Sequence, residues 1–596
     1  MSRLPGQLAD AVGLLLEADV CIVGGGPAGL AVALGLIGTG LRLVMLEAGG
    51  AGAGSGPDGP GAPLGRVRVE GEDPYPQSSI DETRGTGLGG TATLWSFRMA
   101  ADRAEPADSE AAGANGANGA NGNAKAAGRG CRYAPLDPID LARRDDVPHS
   151  GWPLTRAVLD PWYARAQTAA GLGPFAYSPE SWGGDDAPPL DLAHGTVTSS
   201  MFQFGPATAW TEDAVARLRA DGGVRILTGA VVTRLETERG GEDDRAVRAV
   251  RFRAGGQAGE VRARAVVLAA GGIENSRLLL LSDGEGAPRG LGNAYDQVGR
   301  YFMEHPLVRG GLLVVDPVGG LPGRLRLYDA HWKSGSLVMA KLALTEETVR
   351  HRGLVSTSVL LLPRDGAFAE PGVRAFQELR SPSAVAAGTG HRARLAVRAG
   401  LGAPGLLRAR RAIAAQPGVD DAGWTRRPGA AGIANVKVLE MLHQTEQTPD
   451  PANRLLLGDS RDEHGRRTAV LHWRWGAEDR RRVTAARDLY AAAFAQAGYA
   501  RLVGGDWDRG QPRMIGGNHH HLGGTRMSRD PRDGVVDADC RVHGVRNLFV
   551  AGSSVFPTGG SVNPTLTIVA LALRLAAHLR GSALRDGSQP APSHAG

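Results

Sequence analysis

The sequence is poor in cysteine and in aromatic residues, and it has no long apolar run. Its 596 residues include three cysteines, Cys21, Cys131 and Cys540, and aromatic side chains make up 5%. Because the cysteines are far apart and odd in number, neither a disulfide framework nor a zinc site is indicated. No apolar run approaches the roughly 18 residues that a membrane-crossing helix needs. We therefore expect no bound metal and no membrane span.

The charge balance and the N-terminal segment narrow the class of protein further. The net charge is only +5, from 67 basic and 62 acidic side chains, so nucleic-acid binding is not supported. The first residues lack the basic region and the small-residue cleavage site of a secretory signal, so we expect a cytoplasmic protein. At roughly 100–200 residues per domain, the length allows two large domains or one core enlarged by insertions.

A glycine-rich turn near the N-terminus is the first motif that points to a ligand. The apolar, β-branched run 20–23 leads directly into Gly24, Gly26 and Gly29, which have G-x-G-x-x-G spacing. A helix-favouring stretch follows, and then a second apolar strand that ends at Glu47. Such glycines let the backbone approach a pyrophosphate, and the carboxylate accepts ribose hydroxyls. The context predicts a dinucleotide-binding unit, and Glu47 favours FAD or NAD over NADP.

Other segments predict strands, helices and one insertion. Residues 104–130 are low in complexity and poor in apolar groups, which predicts a disordered surface insertion. The stretch 224–238 predicts two paired strands, and 265–269 predicts a buried strand followed by a glycine turn and a helix. The basic stretch 391–413 favours a solvated helix pair, with contact to a membrane, a lid partner or an anionic ligand as alternatives.

Three consecutive histidines, 519–521, lie among glycines in the segment GGNHHHLGGTRM. Neighbouring residues of a strand point to opposite faces, so these histidines cannot all bind one metal ion. A neutral imidazole is well suited to remove a hydroxyl proton at pH 7. On the residues alone, a general base and a structural motif are both open.

Several motifs occur together in the order seen in one enzyme family. They are GLGGTATLW, AAGGIENSRLLL, VGRYFMEHP, EQTPDPANRLLL, HHLGGTRM and GSVNPTLTIVALAL. With the N-terminal glycine turn, they make the chain resemble a bacterial glucose-methanol-choline (GMC) oxidoreductase, near the branch with pyranose oxidase and sugar dehydrogenases. The resemblance spans roughly residues 18–580 and is loosest over 315–430.

The resemblance implies an α/β fold, α+β overall, with a Rossmann-like FAD-binding domain built from both chain ends. A substrate domain based on an antiparallel β-sheet is inserted between them. On this basis we expect FAD-binding parts at 1–305 and 506–580, a substrate-binding domain at 306–505 and a disordered tail at 581–596.

The resemblance also implies which residues act. Members of the family oxidise alcohols by hydride transfer to flavin N5 while a histidine removes the hydroxyl proton. The family pattern H-x-x-G-x-x-x-M assigns that base to His520, with His521 as the neighbouring alternative, and its partner to Asn563. The FAD-binding residues implied are Gly24, Gly26, Pro27, Ala28, Gly29, Glu47, Ala48, Gly89, Gly90, Thr91, Leu94, Trp95, Val232, Gly271, Gly552, Ser553, Asn563, Pro564 and Thr565. Pyranose oxidases carry a flavin-linked histidine where this chain has Leu94, so we expect non-covalent FAD.

The leading functional hypothesis is oxidation of a hydroxyl of a sugar, an amino sugar or aminoglycoside-like compound, or a glycoside. The electron acceptor, O2 or another compound, stays open. A sterol or other lipophilic alcohol is the alternative substrate, and a non-catalytic flavin-binding protein is the alternative of another class. A flavin monooxygenase or disulfide reductase would need a second nucleotide motif or a C-x-x-C pair, and the sequence has neither.

Overall fold

The structure is a computed structural model of the chain. It describes residues 14–50, 65–95, 97–99, 128–184, 187–192, 195–238, 245–379, 387–414, 424–426, 433–503, 512 and 514–583. The predicted insertion lies outside these residues over 104–127, and its last three residues begin a strand. Residues 584–596 of the predicted tail also lie outside them.

The strands of the described residues are numbered in chain order. They are β1 (Leu14–Val23), β2 (Leu43–Glu47), β3 (Val67–Gly71), β4 (Phe97–Met99), β5 (Gly128–Tyr133), β6 (Val197–Pro206), β7 (Val224–Thr228), β8 (Ala230–Thr237), β9 (Val247–Ala254), β10 (Gln257–Leu268), β11 (Pro306–Val315), β12 (His331–Lys333), β13 (Ser336–Leu344), β14 (Thr357–Arg364), β15 (Val438–Thr445), β16 (Arg454–Arg461), β17 (Arg467–Trp473), β18 (Ala500–Val503), β19 (Met514–Gly517) and β20 (Leu548–Val550).

The α-helices are numbered in the same way. They are α1 (Pro27–Leu36), α2 (Pro138–Leu141), α3 (Arg156–Ala169), α4 (Ala214–Ala220), α5 (Gly271–Leu281), α6 (Glu346–His351), α7 (Pro371–Leu379), α8 (Thr389–Leu401), α9 (Ala403–Ala414), α10 (Ala477–Gln496) and α11 (Thr565–His578). The basic stretch 391–413 thus forms two helices, α8 and α9, as its pattern predicts. No helix in the described residues is long and apolar enough to cross a membrane.

The first sheet brings both chain ends together. Its order is β7-β2-β1-β10-β9-β8, and β20 also pairs with β10. Strands β7, β2, β1, β10 and β20 run parallel, whereas β9 and β8 are antiparallel additions. Helix α1, from the N-terminal unit, packs against α11 near the C-terminus. This is the Rossmann-like arrangement that the resemblance implies, with ligands expected at the carboxyl ends of the parallel strands.

One local prediction for this sheet is wrong. The stretch 224–238 does form two strands, but β7 pairs with β2 and β8 pairs with β9, so the two are not paired with each other. Only Gly229 separates them, and it has a positive φ of 68°. A single residue cannot form the loop of two or more residues that a hairpin requires.

The second sheet is antiparallel and has the order β18-β11-β15-β14-β13-β6-β5-β4, with β12 and β19 attached to β13 and β11. Alternate residues of its strands face two different cores. On one face, Phe202, Met339 and Leu360 join the core of the parallel sheet. On the other face, Met201 and its neighbours pack with Tyr490 of α10. The sheet therefore forms a wall against the first sheet, and it includes strands from before residue 306. A small third sheet has the order β16-β17-β3.

Candidate active site

The glycine turn after β1 has a conformation that only glycine adopts easily. Gly24 has φ 110°, and a Cβ there would lie 2.4 Å from the carbonyl oxygen of Ala269. A Cβ on Gly29 would lie 2.0 Å from the carbonyl oxygen of Gly24. Helix α1 can therefore begin directly at the end of the strand, with its N-terminal end next to the turn.

Glu47 closes the turn from the end of β2. Its carboxylate accepts backbone N–H bonds from Gly25 at 2.6 Å, Gly49 at 2.8 Å and Gly87 at 2.9 Å. Burial raises the pKa of Glu47, and the backbone N–H donors oppose that rise. Glu47 thus holds three glycine segments together at the place where the sequence predicts a ribose contact.

A cavity of about 490 Å³ lies between the two large sheets. It is lined by most of the residues predicted to bind FAD or to act on substrate: Gly24, Gly26, Pro27, Ala28, Glu47, Ala48, Gly90, Thr91, Leu94, Trp95, Val232, Gly271, His520, His521, Gly552, Ser553, Asn563, Pro564 and Thr565. Gly29 and Gly89 do not line it. Gly29 packs on Gly24, and a Cβ on Gly89 would lie 2.6 Å from Cγ2 of Thr211. These two glycines therefore allow close packing behind the cavity wall.

The residues present fit FAD. Gly26 and Gly90 approach so closely that a Cβ on Gly90 would lie 2.9 Å from Cα of Gly26. Their bare backbones, beside the start of α1, leave the space that a pyrophosphate needs. Asn563 lines the other part of the cavity just before α11, and its Oδ1 is buried without a hydrogen-bond partner in the described residues. An unpaired buried polar atom in a cavity wall is typical of a ligand site.

His520 lies half-buried in the cavity wall. Its ring Nδ1 is 2.8 Å from Nδ1 of His305, and its backbone N–H donates to the carboxylate of Glu304 at 2.9 Å. Its Nε2 forms no hydrogen bond within the described part of the chain. Burial, and then the neighbouring His305 and Arg132, hold the pKa of His520 well below its usual range. The imidazole is therefore neutral at pH 7 and can accept a proton.

The neighbouring histidines are oriented differently. His521 is buried, its Nε2 is 2.9 Å from Oγ1 of Thr83, and burial lowers its pKa to about 3. His519 is exposed and has a positive φ of 61°. No group of three or more potential metal ligands among histidine, cysteine, aspartate and glutamate occurs in the described residues. All three line the cavity, but His520 is the one that is partly buried there with an Nε2 that forms no hydrogen bond within the described residues.

Sequence reasoning gave no role to Glu304 and His305, which contact His520. Both are fully buried. The signal for them in the sequence is the adjacent acidic and histidine pair in the motif VGRYFMEHP, directly before β11. Their importance depends on a contact with a residue 215 positions away.

The C-terminal part of the chain matches a known family model. Residues 449–572 match the model of the GMC oxidoreductase C-terminal family. Over these residues the chain is similar to GMC oxidoreductases. The resemblance drawn from the motifs is thereby confirmed.

Curated relatives of this chain include enzymes named for sugars and aminoglycosides. The chain is 28% identical over 374 residues to the fructose dehydrogenase large subunit of Gluconobacter japonicus, a match that covers 62% of this chain and 57% of that one. It is 27% identical over 617 residues to 6'''-hydroxyparomomycin C oxidase of Streptomyces lividus, covering 94% and 92%. The match thus spans little more than half the length of the first relative and nearly all of the second.

Two further comparisons are shorter or more distant. Paromamine 6'-oxidase of Streptomyces fradiae is 32% identical over 146 residues, covering 24% of this chain and 26% of that enzyme. Among solved structures, pyridoxine 4-oxidase from Mesorbium loti is 18% identical with a TM-score of 0.46, covering 94% of this chain and 98% of that one.

Proposed function

We propose that this protein is a GMC-type, FAD-dependent enzyme that oxidises a CH–OH group of a sugar, an amino sugar or aminoglycoside-like compound, or a glycoside. The observation that carries the proposal is His520, a neutral imidazole with an available Nε2 in the wall of a cavity that fits FAD. FAD, when bound, supplies an acceptor for the hydride at flavin N5. We propose that it is held without a covalent bond, since Leu94 replaces the linking histidine.

The residues proposed to hold FAD are those of the glycine turns. The start of α1 and the backbones of Gly26 and Gly90 would hold the pyrophosphate, with Glu47 near the ribose. Gly552 and Ser553, which follow β20, would contact the phosphates. Helix α11 begins just after Asn563, so its positive end would face the cofactor and favour negative charge there.

His520 is the proposed general base. The substrate hydroxyl proton would pass to Nε2 of His520 while the carbon loses a hydride, so that an alcohol becomes a carbonyl compound. Asn563 is proposed to orient the substrate oxygen by hydrogen bonding. A general base of this kind contributes about 10²–10⁴-fold to a rate.

The part of the cavity lining that lies beside His520 suits a hydroxyl-rich substrate. Arg132, Asn518 and His519 line the cavity beside His520, and Arg132 also donates to Gln444 of the antiparallel sheet at 3.3 Å. A few polar groups among apolar ones are the usual means of orienting a polar ligand. The names of the sugar and aminoglycoside relatives support the same substrate class.

Anaerobic mixing of the purified flavoprotein with a panel of sugars, aminoglycosides and sterols tests the proposal. We expect the flavin absorbance to bleach with at least one hydroxyl-rich compound. His520→Ala should then lower the rate constant of flavin reduction by about 10² or more. His351→Ala is the matched control, because its ring is exposed and does not line the cavity, and it should change that rate less than about tenfold. Full retention of the rate by His520→Ala would contradict the assignment. Admitting air after reduction shows whether O2 is the electron acceptor.

A further inference from the structure

We infer that His305 and Glu304 are positioning residues that hold His520 in the tautomer whose Nε2 accepts the substrate proton. The inference rests on the proposed function, because it assigns the means by which the proposed base is kept competent. It follows from two hydrogen bonds of the histidine rings, from the backbone hydrogen bonds that Glu304 accepts, and from the burial of both positioning residues.

The tautomer of His305 follows from its partners. Its Nε2 is 3.2 Å from the backbone carbonyl oxygen of Gly559, which can only accept a hydrogen bond. Nε2 of His305 must therefore carry the proton, and in the neutral ring Nδ1 then carries a lone pair. Burial lowers the pKa of His305 to about 4, which keeps the ring neutral at pH 7.

That lone pair determines the tautomer of His520. The two Nδ1 atoms are 2.8 Å apart, so one must donate to the other, and only His520 can be the donor. Neutral His520 thus has its proton on Nδ1 and its lone pair on Nε2. When Nε2 takes a proton, the Nδ1–H bond to His305 is kept. Neither ring needs to move during the reaction.

Glu304 holds the two histidines in register. Its carboxylate accepts the backbone N–H of His305 at 2.8 Å, of Asn518 at 3.0 Å and of His520 at 2.9 Å. Tyr75 donates its hydroxyl to the same carboxylate. One buried side chain therefore ties the segment of His305 to the segment of His520. Burial raises the pKa of Glu304 to about 7, so this side chain can carry a proton near neutral pH.

Two substitutions of His305, each of which reproduces one of its ring-nitrogen positions, distinguish a positioning role from a role in packing alone. In His305→Asn, the side-chain oxygen can occupy the place of Nδ1 and accept from His520. In His305→Gln, the amide reaches the place of Nε2 and can keep the bond to Gly559, but the acceptor for His520 is lost. Flavin affinity, measured by fluorescence, and the rate constant of anaerobic flavin reduction are determined for both variants and the native enzyme.

We expect both variants to bind FAD like the native enzyme. His305→Asn should keep the reduction rate constant within about tenfold of native, and His305→Gln should lose roughly 10²-fold or more, since a base in the wrong tautomer is severely impaired. The loss should fall on kcat and leave KM within about threefold. Equal rates in the two variants, whether high or low, would overturn the inference.

A second pair of variants tests Glu304 and keeps the inference open to refutation if a His305 variant binds FAD poorly. Glu304→Gln retains an acceptor oxygen, so its rate constant of flavin reduction should stay within about tenfold of native. Glu304→Leu has no acceptor, so its rate constant should be lower than that of Glu304→Gln by at least about tenfold. Equal rates in this pair would overturn the role of Glu304. If the native enzyme reduces its flavin with no alcohol of the panel, the proposed function fails. If it does reduce its flavin and His305→Gln matches it, only the inference fails.

Discussion

Loss of the buried ion pair between Arg144 and Glu446 should destabilise the protein strongly. The guanidinium donates to both carboxylate oxygens, at 2.7 and 2.8 Å, and neither side chain is more than 4% exposed. Arg144→Met would leave the Glu446 carboxylate buried with only the backbone N–H of Ser356, at 3.1 Å, among its present donors. Breaking one partner of a buried pair costs about 3–5 kcal/mol of unfolding free energy.

The pH dependence of this loss has a definite sign. Although burial opposes it, the Arg144 guanidinium holds the pKa of Glu446 below its usual range. In the native protein the pair therefore stabilises the fold above the unfolded-state pKa and loses that contribution as the pH falls. In Arg144→Met the guanidinium no longer opposes burial, so the pKa of Glu446 rises and protonation at lower pH relieves the penalty. The difference in stability between the native protein and the variant should shrink from pH 8 to pH 5.

Guanidinium titrations followed by tryptophan fluorescence can measure this effect, because the chain has 10 tryptophans. Arg143→Met is the matched control, since Arg143 is exposed and should change the unfolding free energy by less than about 0.5 kcal/mol. Adding Glu446→Gln to Arg144→Met should recover about 1–2 kcal/mol by removing the unpaired charge. A loss no larger than that of Arg143→Met, or a gap that does not shrink on acidification, would refute the reasoning.

Three further predictions concern the site. Gly24→Ala should lower FAD affinity at least tenfold and destabilise the fold by about 1–3 kcal/mol, because the added Cβ would clash with Ala269 at a residue of positive φ. Flavin titration and thermal melting measure the two effects. The control is Gly38→Ala, since Gly38 also has a positive φ but open space around it. Acid precipitation should release the flavin into the supernatant, since Leu94 cannot form a covalent link, and yellow protein in the pellet would contradict this. His521→Ala should slow flavin reduction less than about tenfold by rapid mixing, and an effect as large as that of the proposed base would reverse the assignment.

Some features of the fold and site could be predicted from the sequence because their signals are local. The glycine turn, the strands on either side of it and Glu47 depend on spacing within 30 residues, and the structure places the turn and Glu47 at the carboxyl ends of two neighbouring strands. The sequence signal for the start of α11 after Asn563 is equally local. The same reasoning failed for β7 and β8, because strand partners depend on the whole sheet and not on adjacency along the chain.

The sequence by itself determined the dinucleotide-binding unit, the family motifs and the short list of candidate bases. Only the tertiary structure separated His520 from its neighbours, by turning His521 to Thr83 and leaving His519 exposed. The contact between His305 and His520 joins segments 215 residues apart, and a carboxylate buried between them sets their register. Such hydrogen bonds have no local pattern, since they form only when packing brings distant segments within about 3 Å and excludes water.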